Sequence, residues 1–351
     1  MGIIKTKSYS RVGFLGNPSD GYFGKTISIA LGNFSVVLTL TESSRLRFVP
    51  GEVDDQTFES IESLVHDVRL YGYYGGIRIL KAVTKRFFDY CCSHDIVLPR
   101  RNFMAEYKIN IPRLVGLSGS SAICTSMLKA LMKFYEVTIP LEDCPTICLE
   151  AEREELGIAC GLQDRVIQMY NGVVFMDFER TLVERTGHGR YERLDASVFD
   201  NKLNLYVAFD PNRAEESGKA HKKVKRLFMD KNSDVLAAMT EFADIAQQGR
   251  DAIVSGRLDR IPYLVNANFD LRNRIFDVAD ENKRMVMAAR AVGASAKFAG
   301  SGGAIVGTYE DESQFVALAK SLSEIGCTTI KPIIPQADDD APGADGTWRN
   351  S

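Results

Sequence analysis

The order of apolar and polar positions along the chain predicts a fold that mixes strands and helices from end to end. Short segments rich in β-branched and aromatic residues predict strands at 11–16, 26–40, 103–112, 172–178 and 202–210. Apolar residues that recur every three or four positions predict helices over 120–135, 143–155 and 161–170. The same spacing over 54–93, interrupted by GYYGG at 72–76, predicts two helices joined at a glycine hinge.

From about residue 211 the pattern is strongly helical up to residue 292. Three strand candidates follow, SAKFAG, AIVGTYE and CTTIKPIIP, with a helix over 311–325 between the last two. We therefore expect an N-terminal domain of residues 1–205 and a C-terminal domain of residues 206–336. Residues 337–351 are acidic and nearly devoid of apolar side chains, which predicts a disordered acidic tail.

Composition narrows the range of functions. With 351 residues, 45% of them hydrophobic and 25% charged, the chain is long enough for about two compact domains. The net charge is −3 and basic residues are scattered among acidic ones, so we expect no nucleic-acid surface. The absence of an apolar signal segment and of a membrane-spanning window predicts a cytoplasmic protein whose seven cysteines are reduced thiols. The sequence leaves the oligomeric state open.

The stretch PRLVGLSGSSAI, residues 112–123, places glycines and serines directly before an apolar helix. Glycine lets the backbone approach a ligand closely, and the first amides of a helix lack an acceptor within it, so such an end attracts anions. The hydroxyls of Ser118, Ser120 and Ser121 add hydrogen-bond donors and oxygen ligands for Mg²⁺. The segment is a candidate phosphate-binding loop, and a turn that only caps the helix is the alternative.

Two other glycine-rich segments fail to complete known nucleotide motifs. GYFGKT at 21–26 ends like a Walker A loop, but that motif requires glycine where the chain has Ser19. GSGGAIVG contains Gly300 and Gly302, but the third glycine of a dinucleotide fingerprint falls on Ile305. We therefore expect neither a Walker site nor a Rossmann site.

A second informative segment is AEREELGIACGLQDRV, residues 151–166. It places Glu152 on a predicted helix and Asp164 twelve positions later, after two glycines. In phosphoryl transfer, one carboxylate holds Mg²⁺ and another orients or deprotonates the attacking hydroxyl. A run of glutamates on a helix is otherwise typical of a solvated surface, and that interpretation stays open for Glu152. Asp164 differs because its own segment carries little charge.

Three separated motifs resemble, in the right order, those of the GHMP kinases, a family named for galactokinase, homoserine kinase, mevalonate kinase and phosphomevalonate kinase. The family's P-x-x-x-G-L-[GS]-[SG]-S-[SA] loop is matched by Pro112, Gly116, Leu117, Ser120 and Ser121. Its R-V-x-x-[IL]-G-x-x-[ST]-D motif is matched by Arg11, Val12, Leu15, Gly16, Ser19 and Asp20, and its C-terminal glycine motif is similar to KFAGSGGA at 297–304. The resemblance implies a two-domain α+β fold, with an N-terminal domain like ribosomal protein S5 domain 2 and a ferredoxin-like C-terminal domain.

The resemblance also implies roles for individual residues, with ATP and Mg²⁺ as cofactors. Asp164 is the implied catalytic base with Arg11 beside it, and Ser121 and Glu152 are the implied Mg²⁺ ligands. ATP binding falls to the phosphate loop and the C-terminal glycine motif, that is, to Pro112, Gly116, Leu117, Ser118, Gly119, Ser120, Ser121, Ala122, Gly300, Ser301 and Gly302.

Within this family, segments such as RVGFLGNPSDGYFGKTIS and GYYGGIRIL are most similar to the glucuronokinases, which phosphorylate C1 of glucuronic acid. Asn17 stands where galactokinases have an acidic residue, and an amide can bind a uronate without charge repulsion. The implied sugar ligands are Asn17 and Asp20, together with an arginine whose planar fork suits a carboxylate. The candidate arginines are Arg78, Arg165 and Arg272.

The resemblance therefore implies ATP-dependent transfer of the γ-phosphoryl group to the anomeric C1 hydroxyl of a uronic acid, with D-glucuronate as the first choice. One alternative is another GHMP sugar kinase, acting on galactose, galacturonate or arabinose. A second is a catalytically idle sugar sensor with the same fold. The expected partners are a small sugar acid and ATP, with no nucleic acid and no membrane.

Overall fold

The computed structural model describes residues 2–50, 75–211, 218–276, 278 and 280–336. A six-stranded sheet lies in the N-terminal part and consists of β1 Ile3–Leu15, β2 Lys25–Ser43, β3 Arg47–Phe48, β4 Asn102–Ile109, β5 Val173–Asp177 and β6 Arg190–Leu194. The order is β3-β4-β2-β5-β6, and β1 pairs with β2. The long β2 connects the two halves of the sheet, because its first residues pair with β5 and its last residues pair with β4. Strand β1 runs antiparallel along β2.

The helices of the N-terminal part are α1 Gly76–Ser93, α2 Gly119–Tyr135, α3 Cys144–Glu150, α4 Gln163–Tyr170, α5 Arg180–Thr186 and α6 Val198–Asn201. Helix α2 contacts β1, β2, α1 and α4. It is buried on every side from Ser121 to Met132, as expected for a mostly apolar helix sequence. Among the helices of the described ranges, none is long and apolar enough to cross a membrane.

A second sheet of four antiparallel strands lies in the C-terminal part, with β7 Asn204–Phe209, β8 Lys297–Phe298, β9 Ala304–Tyr309 and β10 Thr328–Ile330. The strand order is β10-β7-β9-β8. Between β7 and β8 lie α7 Gly218–Met229, α8 Ser233–Ser255, α9 Ile261–Ile275 and α10 Asp280–Ala291, and α11 Glu312–Ser323 connects β9 to β10. This is the β-α-β-β-α-β arrangement of a ferredoxin-like domain.

The two parts share one large hydrophobic core. Helix α8 contacts β1, β2 and β6 of the first sheet, and α9 contacts β1, β8 and β9. The approach of α8 is close because position 249 is glycine, and a Cβ there would clash with Leu15. The larger core therefore extends from Val12 to Val306, while a smaller one lies under α10 and α11. The domain boundary at residue 205 stays a prediction.

Most predicted elements are confirmed with shifted ends, and the differences have physical causes. The first strand begins at Ile3 because the polar residues before Arg11 also pair with β2. The predicted helix over 143–155 changes into a π-helical turn over Ala151–Glu155. Sequence reasoning missed α5 and β6, which are short and rich in charged residues, so they show no clear apolar period. The predicted helix at the start of 54–93 and the predicted tail at 337–351 lie outside the described residues.

Replacing Phe14 by alanine should strongly destabilise the shared core. Phe14 is fully buried on β1, and its ring meets that of Phe199 edge-on with centroids 5.7 Å apart. Removing a buried aromatic ring costs about 3–5 kcal/mol. Phe88→Ala, at a position that is 56% exposed, is the matched control and should change the free energy of unfolding by less than about 0.5 kcal/mol. Equal losses in a denaturant titration of the two variants would contradict the described packing.

Candidate active site

The candidate phosphate-binding loop, residues 112–118, leads directly into α2. Ser118 ends the loop in the left-handed conformation, with φ of 64°, and its side chain does not cap the helix. The first amides of α2 therefore stay available to an anionic ligand. Ser10 on β1 donates from its hydroxyl to the carbonyl of Leu117 at 2.9 Å, which fixes the loop on the sheet.

Asp164 lies in the first turn of α4, in direct contact with this loop. Ser118 donates from Oγ to Asp164 Oδ2 at 2.7 Å, and Arg11 donates from Nε to Asp164 Oδ1 at 2.7 Å. Gln168, one turn further along α4, donates from Nε2 to the Ser118 carbonyl at 2.9 Å. Residues predicted separately as base, neighbouring cation and phosphate loop are thus brought together.

Opposing effects set the pKa of Asp164. Burial raises the pKa, but the guanidinium groups of Arg11 and Arg165 and the hydrogen bonds from Arg11 and Ser118 lower it. The net result is a pKa below the ordinary value for aspartate. Asp164 is therefore an ionised acceptor at neutral pH, suited to bind the hydrogen of a hydroxyl group.

The C-terminal glycine segment, residues 300–303, packs against the phosphate loop. Arg11 donates from Nη1 to the carbonyl of Gly116 at 2.7 Å and to that of Ala299 at 3.2 Å. A Cβ on Gly300 would clash with the carbonyl of Gly116, and a Cβ on Gly116 would lie 2.7 Å from the carbonyl of Gly302. The two segments can interlock only because neither carries a side chain where they touch.

Asp20 lies in the short 3₁₀ turn Ser19–Tyr22 between β1 and β2. Burial and the charge of Asp164 raise its pKa from 3.8 to about 7, against the lowering effect of Arg11 and of two backbone N–H groups. Two carboxyl groups of the same site thus have pKa values displaced in opposite directions. Near neutral pH, a large share of Asp20 is protonated and can donate a hydrogen bond.

Glu152, a predicted Mg²⁺ ligand, is fully buried in the π-helical turn after α3. Its Oε2 accepts a hydrogen bond from Arg165, whereas its Oε1 has no partner within the described residues. Ser121, the other predicted ligand, is buried and donates to the Ser118 carbonyl at 3.2 Å, while Ser120 is half-buried.

The unpartnered carboxylate oxygen of Glu152 fits the preference of Mg²⁺ for oxygen ligands. Within the described ranges, no three histidine, cysteine or acidic side chains form a group that could hold a metal ion. Mg²⁺ at this position would therefore take most of its ligands from nucleotide phosphates and water, as is usual for this ion.

The three arginines predicted for a substrate carboxylate differ in their surroundings. Arg165 is buried and binds Glu152. Arg272 donates from Nη1 and Nη2 to two carbonyls of the C-terminal glycine segment, each at 2.9 Å. Arg78 is exposed in the first turn of α1. The contacts of Arg165 and Arg272 favour a positioning role for both over direct binding of a substrate.

Sequence reasoning missed two buried polar residues that hold Asn17. Asn268 on α9 accepts a hydrogen bond from the Gly16 amide at 2.6 Å and donates to the Asn17 carbonyl at 3.2 Å. Lys297, the first residue of β8, donates to the Asn17 side chain at 2.6 Å. Each is a polar residue inside an apolar run, a signal that also fits the exposed face of a helix or strand.

A phosphate-binding helix end, hydrogen-bonded to an ionised aspartate, provides the positioning and the proton acceptor that phosphoryl transfer to an alcohol requires. Residues 78–172 match the family model described as GHMP kinases N terminal domain. Over 339 residues the chain is 42% identical to Glucuronokinase 1 of Arabidopsis thaliana, covering 94% of this chain and 91% of that relative. The chain belongs to the GHMP kinase family, whose members use ATP as phosphoryl donor.

Solved structures share the fold at low sequence identity. The Lin0012 protein from Listeria innocua matches with a TM-score of 0.76 at 14% identity, covering 95% of this chain and 98% of that chain. The galactokinase of Lactococcus lactis, complexed with galactose, matches with a TM-score of 0.72 at 13% identity, covering 95% and 93%. The two-domain α+β fold predicted from the three motifs is therefore confirmed.

Replacing Gly116 by alanine should separate the two glycine segments. Its φ of 73° disfavours any side chain, and the added Cβ would press on the Gly302 carbonyl, at a cost of about 1–3 kcal/mol. Gly119→Ala, at the first residue of α2, is the matched control, because its Cβ would meet Ile109 Cδ1 at an ordinary 3.5 Å. Denaturant titrations should show a loss only for Gly116→Ala, and equal stabilities would disprove the interlocked arrangement.

Asp20→Asn should stabilise the protein increasingly as the pH rises. Because the pKa of Asp20 is raised from 3.8 to about 7, its stabilising contribution is present below pH 4 and is lost as the pH rises through 7. The asparagine variant cannot ionise, so at pH 8 it should gain roughly 2 kcal/mol over the parent, and little at pH 4.

Thermal unfolding midpoints of the Asp20→Asn variant and the parent between pH 4 and 8 test this expectation. Asp230→Asn, at an exposed position, is the control and should differ from the parent by the same amount throughout. A difference between Asp20→Asn and the parent that does not grow with pH would show that Asp20 is not in the described environment.

Proposed function

We infer that this protein is an ATP-dependent sugar kinase that transfers the γ-phosphoryl group to the anomeric C1 hydroxyl of D-glucuronate. The observation that carries the proposal is the pair of 2.7 Å hydrogen bonds that holds Asp164 between Arg11 and Ser118 of the phosphate loop. The identity to a relative named Glucuronokinase 1 supports the choice of sugar. A sugar acid and ATP are the proposed ligands, and a cytoplasmic location stays a prediction.

In the proposed mechanism, the amides at the start of α2 and the hydroxyl of Ser120 bind the triphosphate of ATP. The C-terminal glycine segment lies against the same loop, so its amides lie close to the same phosphates. A magnesium ion bound with the nucleotide would be held by Glu152 and the serine hydroxyls, and would neutralise negative charge on the phosphates.

Asp164 accepts a hydrogen bond from the sugar C1 hydroxyl. This bond orients the hydroxyl oxygen toward the γ-phosphorus. As the new O–P bond forms, the hydroxyl proton passes to Asp164, and the bond from phosphorus to the β,γ-bridging oxygen breaks to release ADP. The lowered pKa of Asp164 suits a residue that orients the hydroxyl first and takes its proton as the O–P bond forms. Arg11 offsets negative charge on the transferred group, since it already bridges the base and both glycine segments.

Release of ADP in the presence of ATP and Mg²⁺ tests the choice of sugar. D-Glucuronate should give the highest kcat/KM in a panel with galacturonate, galactose and arabinose. A higher value for a neutral sugar would assign the chain to another sugar kinase of this family. Tight sugar binding without any ADP release would favour a catalytically idle sensor.

Asp164→Asn should lower kcat with glucuronate by about 10²–10⁴-fold, because the proton acceptor is lost while the phosphate loop is kept. The KM for ATP should change by less than about threefold. Glu154→Gln, on an exposed side chain of the neighbouring turn, is the matched control and should keep the parent kcat. Steady-state kinetics of both variants checks this, and full activity of Asp164→Asn would remove Asp164 from the mechanism.

A further inference from the structure

Lys297 is a fully buried lysine whose three ammonium hydrogens are all used. Its Nζ donates to the carbonyl of Gly13 at 2.6 Å, to Oδ1 of Asn17 at 2.6 Å and to the carbonyl of Phe298 at 2.7 Å. Three acceptors at this range match the three N–H bonds of a charged ammonium group. The side chain crosses from the second sheet to the turn that follows β1, so it joins the two parts of the fold.

The positive charge of Lys297 has no carboxylate partner within the described residues. All three acceptors are neutral, and the charged groups that act on Lys297 most strongly are two further cations, Arg272 and Arg11. Burial and these two cations lower the pKa of Lys297 well below its ordinary value. Both effects disfavour the charged form in the empty protein, so an anion that arrives from outside the chain would stabilise the ammonium group that the three acceptors surround.

The contact with Lys297 also fixes the orientation of the Asn17 amide. Lysine can only donate, so the atom that faces it must be the carbonyl oxygen Oδ1. The other end of the amide, Nδ2, has no hydrogen-bond partner among the described residues and carries two N–H donors. Asn17 is only 5% exposed, so its side chain has little freedom to turn away.

The Asn17 amide lies beside the reacting end of the site. Gly13 and Arg11 are two positions apart on β1 and face the same side of the sheet. A Cβ on Gly13 would lie 3.0 Å from Asn17 Cγ and 2.6 Å from Gln163 Nε2, so these two amides are neighbours over the glycine. Gln163 directly precedes Asp164 at the start of α4, and Arg11 binds Asp164, so Asn17 and the proposed base lie at the same end of that helix.

We propose that Lys297 is the positioning residue for recognition of the acid group of the acceptor, and that it acts through Asn17. Lys297 holds Asn17 Oδ1, which aims the Nδ2 donors at the sugar carboxylate and places an unmatched positive charge behind them. The inference rests on the proposed function and specifies how that function selects a sugar acid. It also explains selectivity without direct binding of the carboxylate by Arg165 or Arg272, since both of these arginines bind protein acceptors.

Asn17→Asp provides a test in which stability and selectivity change in opposite directions. The new carboxylate would pair with Lys297, so the thermal midpoint of the empty protein should rise by about 2 °C or more. The same charge would repel a uronate, so kcat/KM for glucuronate should fall about 30-fold or more relative to kcat/KM for glucose. Glucose is the matched sugar, because it carries CH₂OH where glucuronate carries the carboxylate. A variant that is less stable and loses activity equally on both sugars would overturn the proposal.

Lys297→Met, which removes the charge and keeps the length of the side chain, provides the second test. The ratio of kcat/KM for glucuronate to that for glucose should fall about tenfold or more, mainly through the KM for glucuronate. Lys129→Met is the matched control, because Lys129 is also fully buried and donates to a backbone carbonyl, that of Lys7, at 3.0 Å. The control should keep the parent ratio, and an unchanged ratio in Lys297→Met would overturn the proposal.

Assays of the parent enzyme distinguish a failure of the proposed function from a failure of the proposed role of Lys297 and Asn17. If the parent releases no ADP with any sugar acid, the proposed function fails before the variants are tested. If the parent prefers glucuronate and Asn17→Asp keeps that preference, the proposed function stands and the role of Lys297 and Asn17 is wrong.

Discussion

The ion pair between Arg11 and Asp164 is the interaction on which the rest of the site depends. The two residues are 153 positions apart, and their 2.7 Å contact joins the first strand to the start of α4. Arg11 donates from Nη1 to the carbonyls of Gly116 and Ala299, so one guanidinium group contacts the base, the phosphate loop and the residue before the C-terminal glycine segment. Desolvation makes a partly buried ion pair costly unless its remaining polar atoms are hydrogen-bonded, and Ser118 donates such a bond to the other carboxylate oxygen of Asp164.

The same ion pair gives the two carboxyl groups of the candidate active site different protonation states. Asp164 has arginine partners and is kept ionised, whereas Asp20 is half-buried beside that negative charge and is driven toward its protonated form. One group then accepts a hydrogen bond from a hydroxyl, and the other can donate one. Opposite pKa displacements in one site are a common way to assign such roles from environment alone.

The sequence predicts the parts of this protein that are encoded by local order. The phosphate loop needs glycines and serines before a helix, and the strand and helix pattern depends on apolar spacing, so both are readable along the chain. Asp164 could be chosen because its segment carries little other charge. The contact of Glu152 with Arg165 and that of Asn17 with Lys297 could not be predicted, because they join residues 13 and 280 positions apart and depend on tertiary packing. The charged segment Arg190–Leu194 was missed for a related reason, since pairing with β5 makes it a strand.

The packing of α8 on the first sheet has a consequence for how the chain is made. During synthesis, the N-terminal sheet leaves the ribosome before residues 233–255, the helix that covers it, have been translated. The contact from Arg11 to Ala299 closes even later, across 288 residues. Such distant closure slows folding and leaves apolar surface exposed in the nascent chain, so this enzyme should need chaperone protection until nearly its whole length is complete.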